Sequence, residues 1–150
     1  MEKNILILCC GYPYACDTGF GFHVAKALEK TKLPENVEFL EVGGSACMVP
    51  AFVEGKDKLI VIDFFQLDSP PGTVVRLLPE EVPLAPHGRT DIDKFHLFEM
   101  LEQIRISGKC PEAIFIGVVP KDLRTPSEKL TPEIEKRIPE VIALILKEVS

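Results

Sequence analysis

The chain has 150 residues, 46% of them hydrophobic and 27% charged, enough to bury a sizeable core and consistent with one domain over residues 1–150. Its net charge of −6 offers no basic face for nucleic acid or for an anionic membrane, and no apolar run approaches the ~20 residues of a membrane span, so the expected location is cytoplasmic. The five cysteines are odd in number and contain no CxxC pair, so neither a disulfide framework nor a thiolate metal site is expected.

Asn4 to Cys10 is an Ile- and Leu-rich run, the pattern of a strand buried on both faces. The loop "CGYPYACDTGFG" follows, and from Gly19 to Lys30 the residues Phe20, Val24, Ala27 and Leu28 fall at helical spacing. Asp17 or Thr18 can cap that helix. Val37 to Val42 reads as a second strand, broken by Gly43-Gly44-Ser45, and Ser45 can cap a short helix over Ala46 to Glu54. Lys58 to Phe65 is the clearest buried strand, with one carboxylate, Asp63, near its end. Ser69-Pro70-Pro71-Gly72 is a turn, and Thr73 to Leu78 alternates as a short strand. The intervening link is too short for a crossover, so that strand is expected to run antiparallel. Pro79 to Thr90 is irregular, Asp93 to Ile106 is helical, and Ala113 to Val119 is another buried strand. A polar loop leads to Thr131-Pro132-Glu133, a helix start with Thr131 as cap; that helix runs toward Glu148 and should kink at Pro139. Strands alternating with helices make the fold class α/β, a mostly parallel sheet with helices on both faces.

In open α/β sheets, ligands sit beyond the carboxyl ends of the strands. Asp17 and Asp63 fall there. A carboxylate ending a buried strand must be hydrogen-bonded, paired or metal-bound, so Asp63 either caps loop amides or ligates a metal, and Asp17 either caps the helix or does the same. The chain has three histidines. His23 lies inside the first helix and reads as a surface or packing residue, whereas His87 and His96 could each reach the sheet edge. A phosphate site is disfavoured: there is no GxGxxG directly after the first strand, no GxxxxGK[ST] and no GxSxG elbow.

The stretch "ILILCCGYPYACDTGFGFHVAKALE" resembles the opening of the nickel–iron hydrogenase maturation endopeptidases, whose pattern is a strand, then G-N-x-x-x-x-D-[DE]-G-x-G, then a helix. "VEFLEVGGSA", "DKLIVIDFFQLDSPPGTVVRL", "AIFIGVVP" and "LTPEIEKRIPEVIALILKEV" are similar to later family segments in order and spacing, so the resemblance covers nearly the whole chain. It implies a three-layer αβα sandwich around a twisted, mostly parallel five-stranded sheet. It also implies an endopeptidase that removes the C-terminal extension of a hydrogenase large-subunit precursor after metal insertion. Two acids and a His would recognise nickel supplied by the substrate, with no tightly bound cofactor of the protein's own. On the family pattern Asp63 matches one acidic ligand. The other acidic position is Thr18, so Asp17 is the candidate to take over, with Cys16 as a soft alternative donor. Tyr12 stands where the pattern has Asn. Counting back from Gly117 favours His96 as the His ligand, while the loop setting fits His87. Gly43, Gly44, Ser45 and Thr18 are expected to line the substrate groove. The "CGYPYACDTGFG" form is similar to proteins accompanying methanogen-type hydrogenases. Thr18 also motivates an alternative, a non-proteolytic accessory protein or chaperone that binds the large subunit.

Overall fold

A computed structural model of the chain describes residues 3–43, 53–82, 106 and 112–150. Its centre is a five-stranded sheet built from β1 (Ile5–Cys10), β2 (Val37–Gly43), β3 (Lys58–Phe64), β4 (Val74–Leu77) and β5 (Glu112–Val118), in the order β2-β1-β3-β5-β4. β1, β2, β3 and β5 are parallel, and β4 runs antiparallel on the edge beside β5, as its short link requires. In register, Cys9 pairs with Ile62 and Asp63 with Gly117. Among the described residues the helices are α1 (Phe20–Glu29), the single turn α2 (Pro132–Glu135) and α3 (Ile138–Val149).

Strand alternation divides the core in two. On one face Ile5, Ile7, Ile60, Ile62, Ile114 and Ile116 pack beneath α1 and α3. The helices supply Phe20, Val24 and Leu28, then Val141, Ile145 and Val149, stripes at four-residue spacing that settle one side of each helix on the sheet. On the other face Leu6, Leu8, Leu59, Val61, Phe65 and Phe115 pack with Val53 and Val82. The helices expected over Ala46 to Glu54 and Asp93 to Ile106 lie largely outside the described residues.

Two local expectations are corrected, and a third holds in part. Neither Asp17 nor Thr18 caps α1: a 3-10 turn, Cys16–Gly19, leads into it and Gly19 holds the cap position without a side-chain bond. Thr131 holds the N-cap position of α2 as expected, with Pro132 following it, but its hydroxyl turns to Asp17 and not to a helix N–H. Pro139 does not kink a continuous helix. The chain breaks at Lys136-Arg137, and Pro139 falls in the first turn of α3, where its missing N–H leaves no intrahelical bond unmade. Close packing of α1 on β1 explains Gly21, since a Cβ there would lie 1.9 Å from the Cys10 carbonyl oxygen.

Candidate active site

Asp63 is the penultimate residue of β3, at the carboxyl end of the sheet. By alternation it shares the face of Leu59, Val61 and Phe65, opposite α1 and α3. It is 6% exposed, and its Oδ1 accepts the Phe64 N–H at 2.8 Å. A strand this apolar tolerates a carboxylate at its end because a backbone donor and a remnant of solvent remain there. Gly117 keeps the position open. A Cβ on it would sit 1.8 Å from the Asp63 carbonyl oxygen and 2.7 Å from the Phe65 ring, which itself packs edge-on against Phe115.

The loop after β1 is built differently from expectation. Thr18 donates its hydroxyl to the Tyr12 carbonyl at 2.6 Å, with the Ala15 carbonyl at 2.9 Å, while the Thr18 carbonyl takes the Tyr12 N–H at 2.9 Å. The hydroxyl is thereby committed to closing its own loop. Asp17 is fully buried, with 0% exposure. Its Oδ2 accepts the Lys121 and Asp122 backbone N–H groups, each at 2.9 Å, and its Oδ1 accepts the Thr131 N–H at 2.9 Å. The Thr131 hydroxyl lies 3.0 Å from both oxygens. Asp17 therefore clasps the 121–131 loop to the β1–α1 loop, and a metal ion would have to displace its donors.

Cys16 sits in the left-handed backbone region, φ 50°, uncommon for a residue with a Cβ. Bonds on either side hold it: Cys16 N–H to the Ser127 carbonyl at 3.1 Å and Asp17 N–H to the Asp122 carbonyl at 2.9 Å. Burial, and then the charges of Asp122 and Asp17, push its thiol above the usual range against a hydrogen bond with Ser127. It is therefore a thiol at neutral pH. Burial likewise raises Cys9, helped by the charge of Glu41. His23 is tied by Nε2 to the Glu128 carbonyl at 2.9 Å, in keeping with a packing role.

Among the described residues no three His, Cys, Asp or Glu side chains converge as a metal site. His87, His96, Gly44 and Ser45 lie outside the described residues, and Gly43 ends β2 opposite Cys10 where the β1–β2 register shifts. The structure thus brings Asp63 and the Gly11–Gly19 loop to one edge of the sheet but gives them different work.

Sequence reasoning missed the part played by Lys121 to Leu130, which read as a polar loop. With the residues after β3 it forms a cleft of about 430 Å³, lined among others by Gln66, Leu67, Val119, Lys121 and Arg124. The available signal was Asp122: its carboxylate accepts the Arg124 and Thr125 N–H groups at 2.9 and 3.0 Å and the Thr125 hydroxyl at 2.6 Å. That is an Asx-turn pattern, legible in principle as D-x-x-T. These bonds, the Thr125 hydroxyl foremost, lower its pKa to about 2.

A family model described as hydrogenase maturation protease matches residues 22–148. A Methanocaldococcus jannaschii protein, provisionally named a hydrogenase maturation protease, is 32% identical over 153 residues, covering 99% of this chain and 98% of its own. The coenzyme F420 hydrogenase subunit delta of Methanothermobacter thermautotrophicus is 30% identical over 160 residues, covering 99% and 96%. The solved structure of the hydrogenase maturating endopeptidase HybD from E. coli superposes with a TM-score of 0.85 at 26% identity, covering 99% of this chain and 92% of its own.

Proposed function

Since the chain belongs to the hydrogenase maturation protease family, we propose that it is an endopeptidase that removes the C-terminal extension of a nickel–iron hydrogenase large-subunit precursor once the metal has been inserted. The observation that carries this reading is Asp63, a carboxylate at the carboxyl end of β3 on the face away from α1 and α3. Asp63 would meet the substrate's nickel, assisted by His96, or by His87 if the loop setting decides. Asp17, whose oxygens hold the 121–131 loop, and Thr18, whose hydroxyl closes its own loop, would frame the site. Nickel thus belongs to the substrate, and the protein senses it. A site with fewer carboxylates than the family pattern binds a free cation weakly, which suits a protein that must engage a metal already held by thiolates.

The test is a processing assay with purified protein and nickel-loaded precursor, followed by mass spectrometry of the precursor's C-terminus. Loss of one defined C-terminal peptide is the expected result. A second reading has its own support: Thr18 replaces the expected acid, and one full-length relative is named as a hydrogenase subunit. On that reading the protein binds the large subunit without cutting it, and an intact precursor in a stable complex would establish it in place of the first.

A further inference from the structure

The cleft beyond β3 and β5 has a wall that is unusually well fixed for a loop. Asp17 holds the Lys121 and Asp122 amides, and Ala15 pairs with Ser127. Val119 donates to the Thr73 carbonyl and accepts from Gly72 N–H, both at 2.9 Å. The opposite wall, Gln66 and Leu67, begins three residues after Asp63. The cleft is open to solvent, and its volume of about 430 Å³ falls within the range of ligand sites.

Its charges are not equivalent. Lys121 is neutralised by an ion pair with Glu133. The Asp122 carboxylate is occupied by the Arg124 and Thr125 amides and the Thr125 hydroxyl. Arg124 lines the cleft, is exposed, and its guanidinium has no acidic partner among the described residues. In a chain of net charge −6, an unpaired guanidinium over a rigid, partly apolar cleft is matched to an anion, and its planar fork suits a carboxylate. Leu67, Val119 and Leu123 supply the apolar surface a polypeptide needs.

We infer that this cleft is a substrate subsite that takes a carboxylate-bearing segment of the substrate polypeptide, with Arg124 binding the carboxylate and Asp17 positioning the wall that carries Arg124. The inference deepens the proposed endopeptidase and rests on that reading for the identity of the polypeptide.

The full-length protein is titrated with a fluorescent synthetic peptide matching the C-terminal end of the cognate precursor, followed by anisotropy. Three peptides are compared: free C-terminal carboxylate, C-terminal amide, and side-chain acids replaced by amides. Arg124→Gln is expected to weaken the free peptide about tenfold, with Arg124→Lys recovering part of that loss, since a lysine keeps the charge and loses the fork. Whichever peptide loses the same factor against wild-type protein, and loses nothing further against Arg124→Gln, identifies the carboxylate as chain terminus or side chain. In the processing assay the same variant should raise KM for the precursor. Equal binding by wild type and Arg124→Gln, or no binding of any peptide, overturns the subsite. Precursor cleavage without carboxylate-dependent binding leaves the endopeptidase standing and removes the subsite. Carboxylate-dependent binding with an uncut precursor does the reverse.

Discussion

Asp17→Asn separates a structural clasp from a metal ligand. Three backbone N–H groups and one hydroxyl converge on the two carboxylate oxygens. An asparagine retains one acceptor oxygen. In its better orientation that oxygen replaces Oδ2 and keeps Lys121 and Asp122, while its NH2 group faces the Thr131 N–H. One buried donor is then unsatisfied, costing ~1–3 kcal/mol, and two bonds lose their ionic character at ~1 kcal/mol each. The sum is about 3–5 kcal/mol, a large share of the ~5–15 kcal/mol that holds a domain together. Urea unfolding followed by circular dichroism should show the midpoint falling by about 2 M with an unchanged slope, for a slope of ~2 kcal/mol/M. A midpoint within about 0.3 M of wild type, with processing abolished, would refute the clasp and restore Asp17 as a ligand.

Asp63→Asn should abolish processing while the protein stays folded, because the amide oxygen can still accept the Phe64 N–H; mass spectrometry and circular dichroism read the two effects. Gly117→Ala forces a Cβ against the Asp63 carbonyl and the Phe65 ring, and should cost about 3 kcal/mol, lowering the thermal midpoint by ~6–12 °C. Asp122 has a folded pKa of about 2 against an ordinary 3.8, so the stability it lends the 122–125 turn is present above the ordinary value and is lost as pH falls toward 2. Hydrogen-exchange protection at the Thr125 amide should therefore decline across that window in wild type, and should already be low in Asp122→Asn.

Much of the fold was legible because its signals are local. The runs at Ile5–Cys10, Lys58–Phe64 and Glu112–Val118 are apolar on both faces, as central parallel strands must be, and the short link before Val74 dictated an antiparallel neighbour. The ordered segments from "CGYPYACDTGFG" to "LTPEIEKRIPE" also sufficed to suggest the family. Asp63 could be placed at the sheet edge from the length of its strand alone.

The roles of polar side chains in loops were decided by contacts that sequence spacing does not encode. Asp17 and Thr131 are 114 positions apart; Asp17 does not take its local role as a helix cap, and Thr131 holds the cap position while its hydroxyl goes to Asp17. A buried carboxylate takes whichever donors tertiary packing brings to it, and here these are the amides of the distant 121–131 loop. Thr18, read as a missing ligand, closes its own turn instead. Periodicity and turn chemistry thus determined the layers and the edge where the site lies. Which carboxylate faces that edge and which is consumed in holding it together depended on the meeting of two loops, because hydrogen-bond satisfaction of a buried charge is a property of the assembled fold.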